Sequence, residues 1–459
     1  MEKIADKTKK SIPKEDLLFS NEDLKKLIVP LVIEQLLVML VGMIDTVMVS
    51  SVGEAAISGT SLVDMINIVL INIFAALATG GAVVTSQFIG AKKYSDARES
   101  ARQLLFSTTI VSLLIAALTL IFKEHILRLL FGNIETDVMK NAVTYFILSA
   151  LSYPFLALYN ACGSLYRAMG NSKISMQMSL LMNVINIAGN AVLIYGCKMG
   201  VMGAGIATLI SRAIAAVVIL IKICKKSDYI YINLKQKFSL KPYLIKKIMR
   251  IGVPNGLENS LFQLGKVLIM SIVTAFGTNQ IAANAVSNNF ASIGCIPGQA
   301  MNLAMITVIG RCVGAMNYNQ AVYYIKKLLK ITYAATIVLN IFILLILPAA
   351  FKLYNLTDET LQLARTIIFI HNGSAIFIWP LSFTLPNALR AANDVKFTMV
   401  VSVFSMIMFR IMFSYIFGLY MGYGVVGVWC AMIIDWIFRT ACFIIRVSGN
   451  KWKTLYKTA

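Results

Sequence analysis

Charge is scarce in this chain. Asp, Glu, Lys and Arg make up only 14% of its 459 residues, against 58% hydrophobic, and the mean hydropathy is +0.76. A water-soluble enzyme needs far more charge on its surface helices, so that class is excluded. Histidine is scarcer still: two residues rule out His-rich metal chemistry. The seven cysteines are scattered singly, with no C-x-x-C, mostly within or beside apolar runs. There Cys acts as a small hydrophobe, and neither a disulfide framework nor a zinc site follows. No G-x-x-x-x-G-K-[ST] run exists; Gly265-Lys266 lacks the upstream glycine and sits in an apolar stretch. Without a phosphate-binding loop the chain does not itself harvest ATP, so uphill work must draw on an ion gradient. The first 26 residues are polar and lack the early apolar core of a cleavable signal.

What is present comes twice. Pro30 and Pro254, Glu34 and Glu258, Gly53 and Gly277, and Ile57 and Ile281 share an offset of 224. So do Gly90-Ala91 and Gly314-Ala315, Tyr94 and Tyr318, Ala97 and Ala321, and Gly200, Gly203 and Ala207 with Gly424, Gly427 and Ala431. Arg167-Ala168…Lys173 and Arg390-Ala391…Lys396 correspond one residue out of step. A period this long is no solenoid. In an apolar chain it points to a duplicated transporter that handles substrate between its halves.

Apolar runs of bilayer-spanning length fall near 27–50, 57–84, 104–122, 142–163, 174–196 and 201–222, then near 250–275, 281–307, 328–350, 362–388, 397–420 and 424–446. The expected fold is an all-α membrane protein of twelve transmembrane helices in two six-helix lobes. An even number per repeat makes the halves parallel repeats, related by an axis along the membrane normal. The expected organisation is an N-terminal cytosolic segment 1–26, a first lobe 27–223, a cytosolic linker 224–247, a second lobe 248–446 and a tail 447–459. With both termini in the cytoplasm, and with span ends counted with the loops they adjoin, 33 of the 42 Lys and Arg lie in inner segments, six in outer loops and three deep inside spans. That asymmetry is the positive-inside pattern, and it accounts for the net charge of +21 without nucleic acid. A multi-pass protein of the cell membrane follows.

Polar residues inside spans are costly in lipid and become the site candidates. Glu34 and Asp45 on the first span are eleven apart, near three turns, so they share a face about 16 Å apart along the axis. Asp64 on the second span lies at the depth of Asp45. Asn183, Asn186 and Asn190 form a stripe on the fifth span. A carboxylate facing amide carbonyls suits Na⁺, or a proton on the carboxylate; the alternative is interhelical hydrogen bonding. Glu34 and Glu258, being repeated, suggest a structural role beside Pro30 and Pro254. In the second half Lys266, His371, Arg410 and Asp435 fall at similar depth. Arg410 and Asp435, on consecutive spans, are expected to form a buried ion pair. Lys266 holds an anionic group or balances a carboxylate, and helical geometry sets it about 80° from Glu258, so the two are not partners. His371 either titrates near neutral pH or is a hydrogen-bonded member of the bundle. Pro154, Pro254, Pro297, Pro380 and Pro386 interrupt spans, as is tolerated around a cavity. The 23 Met and 24 Phe fit a pliant apolar chamber or ordinary lipid-facing surface.

The segments "LIVPLVIEQLLVMLVGMIDTVMVSSVGEAAISGTS", "GAKKYSDA", "LYRAMGNSK" and "GVMGAGIATLISR" resemble the first lobe of multidrug and toxic compound extrusion (MATE) transporters. "VPNGLENSLFQLGKVLIMSIVTAFGTNQIAANAVS", "GAMNYNQA", "LPNALRAANDVK" and "GVVGVWCAMIID" are similar to the second lobe of that family. The resemblance covers residues 24–446. It implies a V-shaped cleft between two lobes, rocker-type alternating access, and export of cationic or amphipathic drugs or metabolites against Na⁺ or H⁺. It implies no cofactor beyond that ion, no ATP-binding subunit and a monomer. Asp45 stands where the family's first-lobe cation site has its aspartate, Asn186 matches its asparagine and Thr208 its threonine. Asn190 stands where many members have a second aspartate, one charge fewer, and Na⁺ versus H⁺ stays open. Phe262 replaces the glutamate of a second-lobe site found in some members, and the tenth span has no acid, so that site is expected to be absent. The alternative within transport is a flippase for lipid-linked saccharides, which shares the architecture but needs more cavity cations than Lys266 and Arg410.

Overall fold

The computed structural model describes residues 17–132, 134–226, 229–233, 235–352, 354 and 356–456. Residues 1–16 of the expected N-terminal segment, 227, 228 and 234 of the linker and 457–459 of the tail lie outside the described residues. No strand occurs among those described. The first lobe consists of α1 (Asn21–Ser50), α2 (Glu54–Gly90), α3 (Tyr94–Phe131), α4 (Thr136–Ala168), α5 (Ser172–Gly196) and α6 (Gly200–Ile223). The second consists of α7 (Pro242–Thr274), α8 (Thr278–Gly294 and Ile296–Gly314), α9 (Tyr318–Phe351), α10 (Asp358–Ala391), α11 (Val395–Tyr420) and α12 (Gly424–Ser448). A short α13 (Lys451–Thr454) follows.

Among the described residues twelve rods match the twelve expected spans, and the chain is a multi-pass membrane protein. Ten rods and the bent α8 are long and apolar enough to cross a bilayer. The twelfth, α7, has its apolar run broken by Asn255, Glu258, Asn259, Gln263 and Lys266, so hydropathy alone undervalues it. Several rods outrun their apolar core. α3 begins at Tyr94, and its first turns are a charged stretch in which Arg102 pairs with Glu99 at 3.3 Å. Such residues keep helical geometry beyond the apolar slab, where hydropathy gives no signal.

Local chemistry sets the ends and kinks. Ser20 caps α1 reciprocally: its Oγ accepts from the Asp23 N–H at 3.1 Å, while Asp23 accepts from the Ser20 N–H at 2.9 Å. Gly53 and Gly277, one repeat apart, precede α2 and α8 with φ of 129° and 91°, a region that side chains disfavour. α8 bends by 44° at Cys295, two residues before Pro297, and Asn340 Nδ2 takes up the carbonyl of Gly294 at 3.1 Å. In α10 a π turn runs from Pro380 to Thr384, and Tyr333 and Asn387 donate to the carbonyls of Phe377 and Phe383. The freed backbone is therefore satisfied from side chains, as membrane depth requires.

The lobes meet at the end that carries the basic loops. There α2 packs on α7 and α8, and the first half of α1 packs on α8. Small residues let these backbones close: Gly80 faces the backbone of Ile248 and Gly252, and Gly252 faces Ala76. Gly90 lies against the backbone of Arg311, while Gly314 lies against that of Gln87. Gly90 and Gly314, like Gln87 and Arg311, are separated by 224 residues, so the seam has an internal two-fold. Leu24, Leu27 and Leu31 of α1 join Ala300, Met301 and Ala304 of α8 in one core. The result is a V closed at its basic end.

Candidate functional site

At that vertex each lobe repeats one ion pair. Arg167 Nη1 lies 3.5 Å from Glu34 Oε1, which also accepts from Ser175 Oγ at 3.0 Å. Arg390 Nη2 lies 2.6 Å from Glu258 Oε1 and its Nη1 donates to Asn387 Oδ1 at 2.7 Å. Both glutamates are buried. They join the first helix of each repeat to its fourth and line neither of the two outer cavities.

Eleven residues along α1, Asp45 faces α5 as Glu34 does. The expected common face exists because α5 runs parallel to α1 and offers Ser175 and Asn186 at the same spacing. Asn190 Nδ2 donates to Asp45 Oδ1 at 2.8 Å. Asn186 satisfies its neighbours with its amide nitrogen toward Asp45, at 2.7 and 3.2 Å from the two oxygens. Its Oδ1 then accepts from Thr208 Oγ1 at 3.2 Å. Asp45, Asn186, Asn190 and Thr208 are thus brought together. Asn190 Oδ1 is buried without a partner, and so is Asn183 Nδ2. Asp45, Asp64, Asn183, Asn186 and Thr208 line one cavity of about 270 Å³.

Arg212 lines the same cavity, and the sequence reading did not single it out. An arginine twelve residues into the apolar α6 was the available signal. Its Nη1 donates to Ser152 Oγ at 2.7 Å. No ion pair within 4.0 Å joins it, or any cation among the described residues, to Asp45 or Asp64. Asp64 instead accepts from Asn67 Nδ2 at 3.2 Å, and Asn67 Oδ1 accepts from Tyr153 at 2.8 Å.

The second lobe holds a cavity of about 220 Å³ lined by Lys266, Ile269, Met270, Asn284, Asn288, Arg410, Val428, Trp429 and Met432. Lys266 and Arg410 both approach Phe262, each 5.3 Å from its ring centroid. The expected Arg410–Asp435 ion pair does not form. Asp435 is fully buried and accepts from Ser405 Oγ, and no carboxylate lies within 4.0 Å of Arg410 among the described residues. Matching depth on neighbouring helices did not fix the rotation of each helix about its axis. A π turn at Met406–Ile411 changes that rotation at Arg410 itself. Arg439, counted from sequence among the basic-end cations, is instead buried, with its guanidinium 4.4 Å from the Phe383 ring. His371 is buried, bonded through Nδ1 to Asn372 Oδ1 at 2.7 Å, with Trp429 and Trp436 set edge-on at 5.3 and 5.2 Å. It is a packed, hydrogen-bonded residue.

The two cavities are the same cavity built twice. At the offset of 224, Gly42 corresponds to Lys266, Asp45 to Ile269, Thr60 to Asn284, Asp64 to Asn288, Asn186 to Arg410 and Thr208 to Met432. The acids of one lobe become neutral residues in the other, and a glycine and an asparagine become cations.

A family model, MatE, matches residues 30–192 and again residues 254–416, copies separated by the same 224 positions. The uncharacterized transporter YisQ of Bacillus subtilis is 25% identical over 431 residues, 92% of this chain and 93% of its own length. The probable multidrug resistance protein NorM of Thermotoga maritima is 25% identical over 461 residues, 97% of this chain and 96% of its own. Among solved structures, the outward-facing conformation of a multidrug resistance MATE family transporter of the MOP superfamily gives a TM-score of 0.87 at 21% identity. That match covers 95% of this chain and 96% of the other, and it speaks for the fold.

Proposed function

The chain belongs to the MatE family, and from that premise we propose that it is an efflux antiporter. It exports cationic or amphipathic small molecules by alternating access, in exchange for Na⁺ or H⁺. One observation carries this reading: Asp45 sits at membrane depth, bonded by two amides and by no permanent cation. A carboxylate so placed is held for a mobile positive ion. Without that ion the amides of Asn186 and Asn190 donate to the carboxylate and stabilise its charge. When Na⁺ enters, rotation of either amide by 180° turns a donor into a carbonyl ligand. Thr208 Oγ1 adds a neutral oxygen, and Asp64 keeps the cavity attractive to cations. A proton on Asp45 instead breaks one amide bond. Either event biases the packing of α1 against α5, and transport follows if the bias differs between the outward and inward states.

The basic end is the cytoplasmic end on the positive-inside pattern. The closed vertex then makes this the outward-facing state, in a cell membrane with both termini inside. Residues 27–223 and 248–446 act as the two rocking bodies of a monomer, joined by the linker 224–247. The protein needs no ATP-binding subunit and no cofactor besides the coupling ion. The test is ethidium transport in proteoliposomes, driven separately by Na⁺ and pH gradients. Asp45→Asn should abolish gradient-driven movement while expression and folding survive; unimpaired transport overturns the assignment.

A further inference from the structure

We propose that the second-lobe cavity is a subsite for the carboxylate of an amphipathic organic anion or zwitterion, with Lys266 and Arg410 as its two cationic contacts. This deepens the efflux reading by naming a substrate class, and it rests on that reading. Neither cation has a side-chain hydrogen-bond or ion-pair partner among the described residues; each meets only the face of Phe262. No acid lines the cavity. Asp435, the nearest candidate on the neighbouring helix, is engaged by Ser405 and shares its field between Arg410 and Arg439. Lys266 and Arg410 also repel each other.

Two like charges at membrane depth with no carboxylate within 4.0 Å of either among the described residues are costly, and an anion bound by both lowers that cost. The guanidinium fork of Arg410 matches a carboxylate through two parallel N–H···O bonds, and the ammonium of Lys266 supplies a point charge. Ile269, Met270, Val428, Trp429 and Met432 make most of the remaining wall apolar; of its two amides, Asn284 accepts from Trp429 Nε1 at 3.0 Å and Asn288 donates to the Asn284 backbone carbonyl at 2.9 Å. A bare inorganic ion would leave that wall unused, whereas an aromatic or aliphatic carboxylate covers it. The volume of about 220 Å³ admits the acid end of such a molecule, and the rest extends into the cleft.

The test uses full-length protein in phosphatidylcholine nanodiscs without any ion gradient. A failed coupling test on Asp45 therefore does not affect it, nor it the coupling test. The probes are dansylglycine, a fluorescent aromatic carboxylate, and its methyl ester, each corrected for empty nanodiscs. The acid should bind about tenfold tighter than the ester, equivalent to about 1.4 kcal/mol. Lys266→Gln and Arg410→Gln should each erase that preference without changing ester binding. Lys266→Arg and Arg410→Lys, which keep the charge and report on folding, should retain most of it. Equal binding of acid and ester to the wild-type protein, or a preference surviving both glutamine variants, overturns the proposal. Adding phosphatidylglycerol should leave dansylglycine binding unchanged. Competitive loss would assign the cations to a lipid phosphate and overturn the substrate reading.

Discussion

The two lobes share a frame and differ in what they put inside it. At the vertex the repeat is kept nearly residue for residue: Glu34–Arg167 answers Glu258–Arg390, and Gly90 on Arg311 answers Gly314 on Gln87. In the outer halves equivalent positions line both cavities, yet Asp45 and Asp64 on one side become Ile269 and Asn288 on the other. Asn186 becomes Arg410. Positions that hold the lobes in register are constrained by the close packing of the seam. Positions facing the cavities are released from that demand, and one duplication yields an acidic pocket and a basic one.

The largest expected effect comes from exporting the second lobe's residue into the first. Asp45→Ile should reduce ion-driven ethidium transport to the level of empty liposomes, because no other carboxylate in that cavity is held by two amides. The reciprocal change, Ile269→Asp, should create no new coupling. Its carboxylate would lie in the cavity of Lys266 and Arg410, and a permanent ion pair has no vacancy for a mobile cation. Ion-coupled transport surviving in Asp45→Ile alone, and lost only when Asp64 is also replaced, would break the contrast as drawn.

The next effect concerns the vertex, where the lobes are alike but not equal. Glu258 and Arg390 approach to 2.6 Å, whereas Glu34 and Arg167 stand 3.5 Å apart and Glu34 also has Ser175. Removing one partner of a buried pair strands the other, at about 3–5 kcal/mol. Arg390→Ala should therefore lower the unfolding midpoint in nanodiscs clearly more than Arg167→Ala. The reverse order would mean that the first-lobe buttress is the stronger.

Much of this frame was legible in the sequence, and the reason is physical. Period, apolar length and loop charge are properties of the chain itself, so the α-only class, the twelve rods and the duplication could be read directly. The cluster of Asp45, Asn186, Asn190 and Thr208 came partly from spacing along α1 and α5 and partly from family resemblance. Pairing between helices was less accessible. Arg410 and Asp435 have matching depth and lie in each other's field, but Asp435 is bonded to Ser405, and a π turn at Arg410 sets a rotation of α11 that depth alone did not give. Arg212 was hidden by its apolar surroundings, although a cation in such a run is itself a signal. Hydrogen-bond roles were hidden too. Spacing suggested amide oxygens facing a cation, and the structure turns amide nitrogens toward the carboxylate.

The smallest effect, and the most direct probe of the vertex two-fold, lies in two cross-lobe bonds. Arg311 of the second lobe donates through Nε and Nη2 to the carbonyl of Ala168 at the end of α4, at 3.0 and 2.8 Å. Gln87 of the first lobe donates through Nε2 to the carbonyl of Ala391 at the end of α10 at 2.9 Å, and to Asn393 Oδ1 at 3.0 Å. Each residue caps a helix C-terminus belonging to the other lobe, and the proposed alternating access requires both bonds to break. The cationic donor is the stronger, because a charged hydrogen bond contributes about 1.5–3 kcal/mol against about 1 for a neutral one. Arg311→Ala should thus shift the closed-to-open balance of the vertex about tenfold, and Gln87→Ala only a few-fold. Alkylation of a cysteine introduced at the buried Ala76 reads that balance, with rates expected to rise in the order wild type, Gln87→Ala, Arg311→Ala. Equal rates in all three would show that packing around the glycines, and not these caps, holds the vertex shut.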